Sequence, residues 1–446
     1  MENMENMPVR RPNPRRRPPA KKKKLNPRFL VTVGVVVALI VLFIIFAVGS
    51  VNRAEEKREL ERQESLAAES SLAQQMLDWE QEAQRLIQES EFYAASCDFD
   101  KAIAVLDQFS GNPNDFPQLD ACREKYENGD AQLVVWEDIT QIPVLSFTDL
   151  IDPETGFSGS NASGNRYYCI STTEFTGILE DLYEKGYMLV DMDDIFYVTQ
   201  GNEGETIISK RELRLPQGKK PLILVHSEPT GFKNQLIVDA NGKFASKNGE
   251  TGDVGAYDFV PLLEEFIAEH PGFSLKGSRA ILALTGYNGV FGYGLEETES
   301  ITTIAKALKD AGYTLAGNTY GNARYGSLEL EEMEADVSQW ETAIEPLIGE
   351  TDILVFAQSN DIDDGKDPYA DGVKKVRERY EKLKEAGFRF YLGVSYNGSS
   401  WMSVSKGSIR IGRVMIIGNN LKEKPTMYAN YFDAAAIYEE YDIETD

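Results

Sequence analysis

Two histidines, His226 and His270, are all the imidazole this chain of 446 residues has for metal binding or proton transfer. His226 opens the phrase His226-Ser227-Glu228-Pro229 at the end of an apolar run. Neighbours on a strand point to opposite faces, so these three side chains do not form a hydrolytic triad. No Gly-x-Ser-x-Gly elbow exists to present a serine nucleophile. His270 precedes Pro271 and reads as a helix cap or surface residue. The three cysteines form no Cys-x-x-Cys and no Cys/His metal spacing. Cys97 and Cys122 are a candidate disulfide, with two separate half-buried thiols as the alternative, and Cys169 reads as a strand-core residue. Asn360 to Gly365 is like a calcium loop, yet position 371 is Asp where the loop needs Glu, which favours a solvated loop. Gly286 to Gly294 is glycine-rich without a phosphate-binding signature. It reads as a loop over a cleft, with Tyr287, Phe291 and Tyr293 placed to stack on sugar rings.

The elements that must position these residues alternate. Short apolar runs at Ile142–Phe147, Tyr187–Val190, Pro221–Val225, Arg279–Leu284, Thr314–Ala316, Ile353–Phe356 and Phe388–Leu392 have the nearly continuous hydrophobicity of buried parallel strands. Amphipathic stretches stand between them, at Thr173–Lys185, Phe259–His270, Ser300–Ala311, Glu329–Ile348 and Gly372–Ala386. Gly186, Gly312 and Gly387 follow helix ends, where a left-handed residue closes the last turn. This order predicts an α/β body over 134–446, a parallel sheet or a (β/α) barrel, with its site at the C-terminal ends of the strands.

The N-terminal third is of another kind. Residues 1–28 hold ten cations against Glu2 and Glu5 and six prolines, a basic cytoplasmic tail of charge +8. Residues 29–51 contain no charge; 23 residues make about 34 Å of helix, enough to span a bilayer. Cations stay on the cytoplasmic side, so the reading is a single-pass membrane protein, N-terminus inside and body outside, with a cleaved signal peptide as the rival. Beyond the span, 36 cations face 70 acids, a net of −34. That balance excludes a nucleic-acid-binding body. Residues 52–78 form a solvated helical stalk, and 79–133 a helical spacer. Within the spacer, Tyr93 to Leu106 resembles the inter-helix turn of a tetratricopeptide-type pair, but one unit alone does not make such a repeat stable.

The body resembles the polysaccharide deacetylase family, metal-dependent hydrolases that remove acetyl groups from glycans. The resemblance runs over about Pro143 to Gly412. It is carried by Pro143-Val-Leu, by Gly186-Tyr187 with Asp194-Ile195, by Lys219 to Leu224, by Ala283 to Tyr287, by Ala311-Gly-Tyr313, by Asn318 to Asn322 and by Lys384 to Phe388. It implies a distorted (β/α) barrel of seven strands. At the family's general base stands Ser227, and at its metal ligands stand Glu228, Asn318 and Asn322; Thr148 or Asp149 occupies the neighbourhood of an early His, and no His follows His270. A serine without an activator is no general base, and amide oxygens substitute poorly for imidazole. The expectation is a pseudoenzyme without cofactor that binds cell-wall glycan or supports envelope assembly, with Tyr287, Tyr293 and Tyr320 as sugar contacts. The alternatives are an active deacetylase holding one divalent metal such as zinc, and a protein–protein scaffold acting through 79–133.

Overall fold

In the computed structural model, residues 27–153, 162–227, 234–249, 251–362, 374–405 and 407–441 are described. The chain divides into two compact units at Trp79/Glu80.

The first unit is helical. Helix α1 (Pro27–Ala95) carries the charge-free segment, the stalk and the start of the spacer without a break. Its N-terminal part is long and apolar enough to cross a membrane by length and composition.

The second unit contains a closed barrel. Its strands are β1 (Val144–Phe147), β2 (Tyr187–Leu189), β3 (Lys220–Ser227), β4 (Ile281–Leu284), β5 (Thr314–Gly317), β6 (Ile353–Val355), β7 (Phe390–Val394), β8 (Trp401–Ser405) and β9 (Ser408–Ile416). Seven of them, β4-β5-β6-β7-β9-β1-β3, pair in parallel, and β3 returns to β4 to close the ring. The expected barrel of seven strands is present, with one exchange of membership. The Tyr187 run, expected as a ring strand, pairs only with the first half of β3 (Tyr187↔Lys220 to Leu189↔Leu222), and β4 takes the second half. The ring is completed instead by β9, which the sequence reading missed. β9 likewise splits one edge, pairing antiparallel with β8 along Ser408–Gly412 and parallel with β1 from Val414. Between β5 and β6 the ladder shrinks to one pair, Gly317↔Leu354. These interruptions are the barrel's distortion.

Alternation along the strands separates two cores. Val144, Ile223, Val225, Ile281, Ala283, Ala316, Val355, Leu392 and Ile411 fill the barrel interior. Leu145, Phe147, Leu224, Leu282, Leu284, Leu315, Leu354 and Ile416 face outward under the helices. Both faces are apolar, which is why the strands read as unbroken hydrophobic runs. After α1, the helices of eight or more residues are α2 (Phe99–Leu106), α3 (Pro117–Glu127), α4 (Thr172–Glu184), α5 (Phe259–Glu269), α6 (Thr298–Ala311), α7 (Leu330–Ala343) and α8 (Lys374–Glu385). α4 starts on a reciprocal cap, in which Ser171 Oγ accepts from Glu174 N and a Glu174 carboxylate oxygen accepts from Ser171 N, both at 2.9 Å. α6 ends at Gly312 with φ 102°, where a Cβ would lie 2.1 Å from the Gly277 carbonyl oxygen. The single helix expected over 329–348 is broken at Ile344, and Glu345–Ile348 makes a separate turn, because Pro346 has no N–H to continue α7.

The spacer helices α2 and α3 belong to the same compact unit as the barrel. Cys97, at φ 61°, joins Ile139, Ile142, Met188, Val190 and Leu275 in the interior cluster, with Phe99 and Leu133 packed against it. Lys276 N donates to Ser96 O at 2.6 Å. This seating corrects the disulfide expectation: Cys97 and Cys122 are both free thiols. Cys97 is turned into the barrel cluster, where burial pushes its pKa up to about 11, while Cys122 lies on α3 beside Tyr126.

Candidate functional site

The C-terminal ends of the strands open into a cleft of about 590 Å³. Ser227, Asn318 and Asn322 all line it, together with Thr148 and Asp149 after β1 and Cys169. Three of the four positions drawn from the resemblance therefore converge; Glu228 lies outside the described residues.

Each group arrives by register. On β3, Leu224 and His226 face the helix layer and Val225 and Ser227 face the interior. The Ser227 hydroxyl is buried and has no hydrogen-bond partner. His226 is stacked on Phe259 of α5, with ring centroids 4.6 Å apart. Neither of its nitrogens has a hydrogen-bond partner. Desolvation drives its pKa down to about 3, against a smaller opposing influence from the Thr148 backbone. A neutral imidazole on the far side of the strand cannot serve Ser227. His270 is the C-cap of α5 and lies against Tyr183 and Phe266, as expected of a cap.

Asn318 follows β5 and is 2% exposed; its side-chain oxygen has no partner. The turn from Asn318 to Asn322 is held in an uncommon shape, with Thr319 at φ 59° and Asn322 at φ 51°. Thr319 Oγ1 accepts from Ala323 N at 2.7 Å. Asp336 of α7 accepts from Tyr320 N, Gly321 N and the Tyr325 hydroxyl at 2.8, 2.8 and 2.7 Å. Across the cleft, Gln358 Nε2 donates to Asn322 O at 2.8 Å, and the Tyr396 hydroxyl donates to Ser359 O at 2.9 Å.

Of the lining residues that were not anticipated, three bear on what the cleft can bind. Tyr168 lines it and is 59% exposed. Arg324 lines it from the loop after the Asn318 turn and has no partner among the described residues. Arg413 is on β9, is 1% exposed and lines the cleft. It donates from Nη1 to Ser146 Oγ at 2.7 Å and to Met415 Sδ at 3.0 Å, and from Nη2 to Phe356 O at 2.6 Å. All three acceptors are neutral, and Nε has none. Burial pulls its pKa down to about 10, partly offset by Asp361 and Tyr396 acting through space, so it stays charged at neutral pH. Ile409, Ile411 and Ile416 around it carry the strand signal that would have revealed β9.

The expected sugar contacts divide. Tyr287 is 64% exposed. Tyr293 and Tyr320 are half-buried against the outer core. The Tyr293 hydroxyl is tied to Leu236 O at 3.2 Å, and the Tyr320 ring covers Gly286. Phe291 is fully buried. The loop from Asn360 to Gly365 lies partly outside the described residues, which end at 362.

The resemblance implies a divalent metal here, and the residues described do not fit one. At the three matching positions that are described, the donors are a hydroxyl and two carboxamides, and Arg413 sets a positive charge in the same cleft; the carboxylate of Glu228 is outside the described residues. Among the described residues, no group of three or more His, Cys, Asp or Glu side chains is placed to hold an ion.

No protein-family profile matches this chain, and no curated protein matches it. Among solved structures, a Streptococcus pyogenes deacetylase, PplD, in complex with acetate, aligns with 12% identity and a TM-score of 0.36, covering 67% of this chain and 99% of that chain. A likeness this distant carries no argument, and the barrel rests on its own strand registers.

Proposed function

We propose that this chain is a membrane-anchored, extracytoplasmic barrel of deacetylase type that binds glycan at its strand C-termini and does not hydrolyse it. One observation carries the reading. The cleft gathers Ser227, Asn318 and Asn322, positions that the resemblance equates with a base and metal ligands, and offers hydrogen-bonding groups in place of a base or an imidazole. The only nearby imidazole, His226, faces the opposite side of β3 and is held neutral by burial. Exposed aromatics suit sugar faces at this end: Tyr168 lines the cleft, and Tyr287 and Tyr396 sit on loops that follow β4 and β7. The apolar part of α1 would supply the anchor, with the basic tail inside.

The test is retention of the full chain, in phosphatidylcholine nanodiscs, on purified peptidoglycan. Wild type is expected to be retained, and Tyr168→Ala and Tyr287→Ala to be retained several-fold less. Stoichiometric zinc together with acetate release from chito-oligosaccharide would overturn the non-hydrolytic reading.

A further inference from the structure

A buried guanidinium that touches only neutral acceptors is costly, since the charge has left water without gaining a counter-charge. Arg413 is close to that state, since Asp361 acts on it only through space. Its three acceptors are a serine hydroxyl, a thioether and a backbone carbonyl, and no ion pair reaches it. A guanidinium has five N–H groups, so about two remain without an acceptor. The groups beside it are of the same kind. The Ser227 hydroxyl is buried and unbonded, and the Asn318 carboxamide makes no hydrogen bond. Arg324 adds a second cation on the exposed side. Asp149 is the one carboxylate among the described lining residues. Among the described residues the lining is thus net positive, inside a chain whose net charge is −26. A local reversal of sign in a recessed cleft focuses the field on whatever enters it.

We propose that the mouth of the barrel is a receptor for an oxyanion carried on a sugar, a carboxylate or a phosphate, with Arg413 as the central donor and Ser227, Asn318 and Arg324 around it. This deepens the glycan-binding reading and rests on it for the sugar. The oxyanion occupies the open N–H groups of Arg413, which are geometrically suited to planar and tetrahedral oxyanions alike. Asp149 repels a second negative group and accepts from sugar hydroxyls, so one anionic group per ring is favoured.

Ligand-observed NMR on the full chain in phosphatidylcholine nanodiscs at low salt tests this, with D-glucuronate, glucose 6-phosphate, glucose, chitotriose, acetate and inorganic phosphate as probes. At least one charged sugar is expected to bind ten-fold or more tighter than glucose, and the better of the two identifies the oxyanion. Arg413→Met should abolish that preference, and Arg324→Gln should reduce it several-fold. Thermal unfolding shows whether Arg413→Met is folded; if it is not, the exposed Arg324→Gln decides. Equal binding of charged and neutral sugars, or a preference that survives in the folded variants, overturns the proposal. If chitotriose binds regardless of Arg413, the glycan reading stands and this inference falls. If acetate or phosphate binds through Arg413 and no sugar binds, the anion receptor stands and the glycan reading falls.

Discussion

Two buried side chains set how this protein answers pH and mutation. His226 has a folded pKa of about 3 against an unfolded value near 6.5. As pH falls below about 6.5, the unfolded chain takes the proton and the folded chain does not, so acid favours unfolding until the folded pKa is reached. The slope is about 1.4 kcal/mol per pH unit, or about 2 kcal/mol between pH 6.5 and 5. Asp191 and Asp194, whose carboxyls burial raises above the usual range, act in the opposite sense and strengthen the fold as they protonate. The comparison is therefore a difference between variants. His226→Phe keeps the ring packing on Phe259, and denaturant unfolding at pH 5 and pH 7 is expected to show its stability dropping about 2 kcal/mol less than wild type over that range. Glu174 is the second case. It forms a fully buried pair with Arg166 at 2.6 and 3.0 Å while capping α4 and accepting from Glu439 N. Removing one partner strands the other charge, so Glu174→Ala is expected to cost about 3–5 kcal/mol in urea unfolding.

At the scale of elements, the mouth is built from strained turns fastened by side chains. Of the seven described non-glycine residues with positive φ, five (Phe291, Thr319, Asn322, Gln358 and Ser359) lie in loops that follow β4, β5 and β6. Such conformations cost about 1–3 kcal/mol each and persist where neighbours hold them. Asp336 is the main fastening of the Asn318 turn. Asp336→Ala removes three hydrogen bonds at once and is expected to raise amide exchange across 318–325 by at least ten-fold, with global stability falling by about 2–4 kcal/mol. Unchanged exchange there would mean that the turn holds itself. These elements also mark how far sequence reading reaches. Period and continuity of apolar residues located six of the seven ring strands, because both faces of each strand are buried in hydrocarbon. β9 escaped because Arg410 and Arg413 interrupt it, and both are buried: Arg410 lies over Tyr380 and Trp401 on one face, and Arg413 sits inside. A charge normally signals a surface, so the residue that matters most in the cleft hid the strand that carries it. Ser227 and Asn318 were legible because each stands just past the end of an apolar run, whereas Arg324 and Tyr168 reach the cleft from segments outside any strand.

For the whole molecule, the charge is divided along the chain. If the neutral segment spans a membrane, the tail of +8 before it and the remainder of −34 after it would favour a cytoplasmic N-terminus, since short flanking cations are retained on the cytoplasmic side. The same division bears on binding. An exterior rich in acid repels polyanions at long range, and the net-positive cleft attracts one anionic group only at short range, beyond the reach of that repulsion at about 10 Å screening. A ligand therefore reaches the mouth best as a short fragment or a chain end. The orientation is the premise of this picture and can be tested by itself. In sealed, right-side-out vesicles, added protease is expected to digest the body and spare an epitope placed before residue 10. Replacing Arg15, Arg16, Arg17 and Lys21 to Lys24 with Gln lowers the tail to +1, and a measurable fraction of chains should then insert in the opposite sense, with the epitope cleaved and the body protected. If the stripped chain still inserts in one orientation, the basic tail does not set topology, and the placement of the cleft outside the cell must rest on something other than charge.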